Sequence, residues 1–396
     1  WHSFQKNAWL CCAKRINILY YICCENFRNE IFRNGILDAG ETMNPFKFGT
    51  IVEDEFFTDR VNELEQIKQM LDSENHLVLI SPRRFGKSSL VAKALQQIGR
   101  PSITIDFMKV LNVEDLAAQV LRQVFRLHKF EKVKHFMKHF RVVPTLSYNP
   151  MTDGMDVSFV PSVGKSSAML EDSLELLEKV SSAENRLIVV FDEFQEVNSI
   201  DKTLAKQLRA IMQRQKGLNY IFMGSQESMM EEIFEKKKSP FFHFGERMNL
   251  KKIPYDDFYN YIESRLPKMP ASQKAAITEE ILKFTDVHPY YTQQLAAAVY
   301  NAIVYSKITE NVVAYAIKRQ VEEHSLDYER LWANMNRTDR KVMLLLANKK
   351  NPITDRSVPT STSFSSIKRL LKQGYVIKTV GYELEDPFFG EWILGN

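Results

Sequence analysis

The stretch that decides the fold is Ser81-Pro-Arg-Arg-Phe-Gly-Lys-Ser-Ser89. It follows an apolar run, His76 to Ile80, that has the length of a buried strand, and it leads into the helical pattern of 90–95. In a strand, loop and helix of this kind, backbone N–H groups at the helix N-terminus surround phosphate groups. The sequence therefore predicts a phosphate-binding loop over 81–89.

Two residues of this loop have specific expected roles. Lys87 is predicted to reach the β and γ phosphates of a nucleotide, and Ser88 to place its hydroxyl on Mg²⁺. Ser81 replaces the first glycine of the motif, and this weakens the match because that position benefits from unrestricted backbone angles. The predicted ATP-binding residues of the loop are Pro82, Arg83, Arg84, Phe85, Gly86, Lys87, Ser88 and Ser89.

A second copy of the tetrapeptide, Gly164-Lys-Ser-Ser167, lacks this context. No apolar strand precedes it at the right distance, and 145–160 instead alternates like a hairpin with Asp153-Gly154 at its turn. Lys165 is therefore interpreted as a solvated loop residue.

An acidic strand end supports the phosphate loop. The run Leu187 to Phe191 is continuously apolar, as in an interior parallel strand, and Asp192 and Glu193 follow it directly. Asp192 is predicted to hold the Mg²⁺ shell and Glu193 to act as general base on the attacking water. The shorter run that ends at Asp106 is interpreted as the next strand, without a metal ligand.

Two further residues are candidates for catalysis. The run Tyr220 to Met223 ends in Gly224-Ser225-Gln226, and Ser225 or Gln226 is expected to sense the γ-phosphate if this strand is inserted between the loop strand and the acid strand. An ordinary strand-end turn is the alternative. Arg247 is a candidate phosphate-contacting or finger arginine, with a plain surface residue as its alternative.

Composition excludes several classes of protein. The chain has 396 residues, of which 44% are hydrophobic and 26% charged, which predicts two to three globular domains and argues against a disordered chain or a polytopic membrane protein. Lys plus Arg numbers 53 against 49 for Asp plus Glu, a surplus too small to indicate a nucleic-acid partner by itself.

The first 42 residues differ from the rest. All the cysteines, Cys11, Cys12, Cys23 and Cys24, lie there, while Met43 opens a segment that reads as ordinary folded protein. The adjacent pairs lack zinc-site spacing, and the apolar run 16–24 is too short for a membrane span. We expect 1–42 to be a non-native upstream extension. The cysteine-free remainder fits a cytoplasmic location without a membrane partner.

The chain resembles the archaeal-type ATPases, a STAND branch of the AAA+ P-loop NTPases that also occurs in bacteria. The resemblance covers essentially all of 43–396. The residues that carry it are Asn44-Pro-Phe46, Phe48-Gly49, Phe57-Thr-Asp-Arg60, Glu63, Leu64, 82–90, Phe191-Asp-Glu-Phe-Gln195, Phe222-Met-Gly-Ser225, His288-Pro-Tyr-Tyr291 and Tyr382-Glu-Leu-Glu-Asp-Pro-Phe-Phe389.

This resemblance implies an α/β P-loop fold of the ASCE type with a parallel sheet, a helical lid, a C-terminal winged helix and ATP bound between sheet and lid. It places Arg60 and the segment Asn44 to Gly49, with Phe46, near adenine and ribose. It also brings the turn at His288 and Pro289 to the nucleotide. Val287 departs from the family pattern, which has glycine there.

The remaining pattern fits three domains. Helical spacing from Pro254 to about Tyr305 predicts the lid, and a helix, a second helix and a hairpin after Arg337 predict a winged helix. We expect an ATPase core over 43–252 with a hairpin insertion near 142–162, a lid over 253–330 and a winged helix over 331–396.

Two functions fit the sequence. The first is a slow ATPase that uses Mg-ATP as a conformational switch toward a protein partner. The second is a DNA-binding regulator or loader similar to origin-recognition ATPases, and its candidate phosphate contacts are Lys368, Arg369, Lys372 and Lys378. The basic run 126–141, with His135 and His139, is interpreted as a solvated helix face, with an anionic partner or a zinc site as alternatives.

Overall fold

The computed structural model describes residues 43–52, 54–128, 130–149, 154–159, 166–355 and 357–395. The cysteines, the hairpin turn at Asp153 and the loop residue Lys165 lie outside these ranges. The chain divides into two units, 1–45 and 46–396, and Asn44 belongs to the first. The account below concerns the second unit.

The central sheet has five parallel strands in the order β2-β5-β6-β1-β7. The bounds of its strands are β1 Leu77–Ile80, β2 Ser102–Asp106, β5 Leu187–Asp192, β6 Leu218–Gly224 and β7 Glu246–Asn249, and an antiparallel hairpin supplies β3 Thr145–Asn149 and β4 Gly154–Ser158. Strand β6 lies between β1 and β5, as the sequence predicts for a strand inserted between the phosphate loop and the acid strand.

Helices cover both faces of this sheet. They are α1 Val61–Asp72, α2 Lys87–Ile98, α3 Val113–Leu127, α4 Phe130–Met137, α5 Ser166–Val180, α6 Val197–Ile200, α7 Leu204–Met212 and α8 Glu227–Phe234. Alternate strand residues face opposite layers: Leu77 packs into the core shared with α1 and α2, and Val78 into the core shared with α3, α5 and α7. Burial on both faces explains why the strands read as continuous apolar runs, and the predicted α/β fold class is confirmed.

A third core holds the remaining helices and the C-terminal hairpin together. The elements are α9 Tyr255–Arg265, α10 Ala271–Thr285, α11 Pro289–Val304, α12 Val312–Asn334, α13 Arg337–Ala347, α14 Thr360–Gln373, β8 Val376–Lys378, β9 Tyr382–Leu384 and α15 Pro387–Gly395. Helix α12 runs through the boundary that we expected near 330, because its apolar residues pack on both sides of that point.

Among the helices of the described ranges, none combines the length and the apolar character that crossing a bilayer requires.

Candidate nucleotide-binding site

A cavity of about 740 Å³ opens above the carboxyl ends of β1, β5 and β6. Its walls come from the segment 47–58, the phosphate loop, the strand tips and the start of α11. Of the predicted site residues it brings together Arg60, Arg83, Arg84, Phe85, Gly86, Lys87, Ser88, Ser89, Glu193, Ser225 and Pro289. Ligands bind at this end of a parallel α/β sheet because the loops after the strands leave a crevice there.

The phosphate loop tolerates its departure from the motif. Gly86 has a φ of 87° at the N-cap of α2, where a side chain would be strained. Ser81 is fully buried but does not adopt a positive φ. The expectation that Ser81 weakens the loop by restricting its backbone is therefore wrong, because this loop does not use left-handed angles at that position.

Lys87 is held by the loop itself. Its Nζ donates to the carbonyl oxygens of Ser81 (3.1 Å) and Pro82 (3.0 Å) and lies 3.3 Å from the Ser81 hydroxyl. Burial lowers the pKa of Lys87 to about 8, and the nearby carboxylates of Glu193 and Asp192 oppose that shift. A phosphate anion is the natural partner for a desolvated ammonium in this position.

Glu193 is fixed in place by two polar neighbours. It stands at a φ of 51° directly after β5, and its Oε2 accepts hydrogen bonds from the Ser225 hydroxyl (2.7 Å) and the Gln195 amide (2.5 Å). The predicted base and the predicted sensor therefore touch each other. Gly224 makes this approach feasible, since a Cβ there would lie 2.6 Å from Gln195 Oε1.

The donor set near the loop suits Mg²⁺. Ser88 lines the cavity, and the half-buried Asp192 lies between Glu193 in sequence and Asp106 in register across the β2–β5 pair. Burial and the Glu193 carboxylate raise the pKa of Asp192. Hydroxyl and carboxylate oxygens are hard ligands of the kind that Mg²⁺ prefers, so these residues fit the metal.

The other end of the cavity is built from aromatic and apolar groups. Arg60 lies there at a φ of 68°, with its guanidinium committed to Glu63 (2.7 Å) and to the Lys251 carbonyl (2.7 Å). Phe46 does not line the cavity; it is buried against Tyr261 and Tyr300 in the third core. Its predicted nucleotide contact is thus not made, because its ring packs away from the site.

The turn before α11 lies beside the loop. Pro289 lines the cavity, while His288 is buried behind it with its ring 4.9 Å from the Phe85 ring. Both nitrogens of His288 are buried without a hydrogen-bond partner, and burial lowers its pKa to about 3. Val287 takes the left-handed backbone, with a φ of 57°, at the position where the family pattern has glycine.

Two predicted residues lie outside the cavity. Pro82 lines a separate crevice behind the loop. Arg247, on β7, forms ion pairs with Glu231 and Glu235 of the α8 region and does not reach the phosphate loop. The structure does not bring Arg247 to the site, because its strand lies at the sheet edge and its side chain is engaged by these carboxylates.

The sequence reasoning missed a link between the loop and the C-terminal segment. Arg84, at a φ of 63°, donates to the Tyr291 hydroxyl and lies 3.5 Å from the buried Glu385 carboxylate. The Tyr291 hydroxyl in turn donates to Glu385 at 2.8 Å, and the Arg84 guanidinium lies 4.7 Å from the Tyr290 ring. Its one signal in the sequence was the paired motifs around Tyr291 and Glu385.

The basic residues assigned to DNA contacts are engaged elsewhere. Arg369 bonds Asp339 through both Nε (2.8 Å) and Nη2 (2.5 Å). Lys372 and Lys378 line the crevice that faces Pro82 and Arg83. In the described ranges, no three His, Cys, Asp or Glu side chains come together as a metal site, so His135 and His139 find no third ligand there.

Comparison with known proteins agrees with this geometry. The family model for ATPase domains found predominantly in Archaea matches residues 57–295. The chain is similar in structure to the Walker-type ATPase PABY2304 of Pyrococcus abyssi (TM-score 0.62, 16% identity, covering 88% of this chain and 99% of that chain). It is also similar to the ORC2 protein of Aeropyrum pernix (TM-score 0.50, 14% identity, 88% and 98% coverage).

No curated protein sequence gives a significant match. The two structural likenesses, at these identities, bear on the fold alone. The family match spans most of the chain and includes the phosphate loop, Asp192, Glu193 and His288. The chain therefore belongs to the family of ATPase domains found predominantly in Archaea.

Proposed function

We propose that this protein is a slow ATPase in which Mg-ATP binding acts as a conformational switch, read out by the C-terminal segment. The observation that carries the proposal is the contact of Arg84, in the phosphate loop, with Tyr291 and Glu385. Through it, one side chain of the loop joins the start of α11 and the end of β9. A change at the phosphates therefore reaches both elements directly.

Lys87 is the residue that we assign to phosphate binding. Its present partners are carbonyl oxygens of the loop, which are weaker acceptors than phosphate. Exchange of these bonds for phosphate contacts restores a full ionic partner to the buried ammonium. Ser88 and Asp192 would hold Mg²⁺, which supplies positive charge against the phosphate oxygens when bound.

Glu193 is the general base of the proposal. Its carboxylate oxygen is positioned by Ser225 and Gln195, so it is held at a fixed angle beside the cavity. A carboxylate in this place orients a water and accepts its proton as the water attacks the γ-phosphate. Ser225 acts as a positioning residue because it touches Glu193 and borders the cavity.

The C-terminal segment is proposed to bind a protein partner and not DNA. Arg369, Lys372 and Lys378 are directed to Asp339 or to the crevice beside the phosphate loop, so a duplex would have to displace these contacts. A helix pair followed by a short hairpin, as in a winged helix, also binds proteins. Release of this segment by ATP would expose the surface that now faces the loop.

The phosphate-binding role is tested with Lys87→Ala. We expect loss of measurable ATP binding in calorimetry, because Lys87 is the buried cation at the loop. Lys93→Ala, a matched lysine on the same helix, should bind ATP as the unmodified protein does. Retention of ATP binding by Lys87→Ala would overturn the assignment.

The hydrolytic role is tested with Glu193→Gln. We expect the dissociation constant for ATP to change by less than about threefold while phosphate release falls by about 100-fold or more, as for removal of a general base. Glu196→Gln serves as the control in the same turn. Hydrolysis by Glu193→Gln at the native rate would exclude Glu193 as the base.

A further inference from the structure

Gln293 contributes a polar side chain to the end of the cavity away from the phosphate loop. It lies on α11 one turn after Pro289, and both residues line the cavity. Tyr290, between them, contacts Arg84 of the loop, so Gln293 lies one turn farther from the phosphates. Its neighbours at this end include Phe48, Ile51, Val52, Phe57 and Ile253, which suit the faces of a flat base.

The orientation of the Gln293 amide is fixed by its surroundings. The Tyr261 hydroxyl donates its proton to the Phe56 carbonyl at 3.0 Å, so its oxygen is available only as an acceptor toward Gln293. The Gln293 amide NH₂ donates to that oxygen; burial raises the pKa of Tyr261 and this hydrogen bond opposes the rise. The amide oxygen of Gln293 must then be on the other side.

This amide oxygen is unsatisfied. It is buried without a hydrogen-bond partner, while the side chain as a whole is 7% exposed. A buried acceptor in this state is costly, and a donor from a ligand in the cavity would relieve the cost. Arg60 does not serve as that donor, because its guanidinium is committed to Glu63 and to backbone carbonyls.

We propose that Gln293 selects the base of the nucleotide by accepting a hydrogen bond from the exocyclic amino group of adenine. Adenine carries a donor at position 6, whereas guanine and hypoxanthine carry a carbonyl acceptor there. An acceptor facing an acceptor leaves both unsatisfied, so 6-oxopurines are rejected. The inference rests on the proposed nucleotide site and adds its specificity for ATP.

The test compares the affinities of ATP and ITP, which share ribose and triphosphate and differ at position 6 of the base. The unmodified protein should bind ATP about tenfold or more tightly than ITP, as for a site built around one hydrogen bond. Gln293→Leu should reduce this ratio to within about threefold, mainly by weakening ATP. Gln293→Glu, which keeps an acceptor, should retain the preference.

Gln294→Leu is the matched control, since Gln294 bonds Gln320 on α12 and does not line the cavity. Equal affinities for ATP and ITP in the unmodified protein would overturn the inference without any variant. An unchanged ratio in a folded Gln293→Leu protein would do the same. Failure of both nucleotides to bind the unmodified protein would instead overturn the proposed function.

Discussion

His288 shows at the scale of one residue how the site is built around a neutral group. Its ring lies between Phe85 of the phosphate loop and Tyr291, whose centroid is 4.7 Å away. Neither ring nitrogen has a partner, so a proton on this imidazole would be buried without compensation. The family pattern predicted that His288 touches the nucleotide, whereas here it supports the loop from behind.

This burial makes stability depend on pH. Between the folded pKa of about 3 and the ordinary value of 6.5, the unfolded chain binds a proton that the folded chain does not, so stability falls as pH falls through this range. Between pH 7 and pH 5 the loss from one such site is about 2 kcal/mol. His288→Phe should remove this part of the loss in urea unfolding measured at both values.

The exposed His139 provides the comparison, because His139→Gln should leave the pH dependence as it is in the unmodified protein. If His288→Phe loses as much stability between pH 7 and pH 5 as the unmodified protein, His288 is not the group responsible.

At the scale of elements, the apolar runs predicted β1, β5 and β6 well, because strands buried on both faces need continuous apolar sequence. The phosphate loop was predictable for a similar reason, since its chemistry is local. Side-chain partners between distant elements were not predictable from spacing. Arg369 looked like a DNA contact on α14, yet it bonds the buried Asp339 of α13, and only the fold brings the two together.

Arg369 is expected to stabilise the C-terminal helices. Burial raises the pKa of Asp339, but the Arg369 guanidinium and the Ser366 hydroxyl outweigh that effect and hold it below its usual value. Arg369→Ala leaves this carboxylate without its cation and should lower the free energy of unfolding by about 2 kcal/mol. The neighbouring exposed Lys368→Ala should change it by less than about 0.5 kcal/mol in the same denaturant titration. Equal effects would contradict the assignment.

At the scale of the whole molecule, contacts converge on the phosphate loop from three directions. Arg84 joins it to Tyr291 and Glu385, Lys252 bridges Asp286 (2.5 Å) and Glu383 (2.8 Å), and the Phe85 ring packs on His288. The loop is therefore in contact with α11 and β9 at once. Such an arrangement couples the loop to the C-terminal segment if nucleotide binding breaks any one of these contacts.

Glu385→Gln should weaken this coupling selectively. The amide still accepts the Tyr291 hydrogen bond but loses its charge toward Arg84, so the C-terminal segment is released more easily. We expect faster amide hydrogen exchange over 376–395 and about fivefold tighter ATP binding, because the loop is freed in advance. Glu391→Gln, on the exposed side of α15, should change neither. If Glu385→Gln behaves like Glu391→Gln in both measurements, the link through Arg84 does not restrain the loop.

Strand β7 also determines how the molecule behaves at high concentration. It pairs with β1, and the described ranges place no strand beyond it, so its outer hydrogen-bonding groups form an edge that another chain's strand would match. That edge is four residues long and carries Glu246, Arg247 and Asn249, with one buried apolar residue among them. Charged side chains on a short edge discourage sheets from joining. Arg247, which seemed a catalytic candidate, thus protects the protein against aggregation.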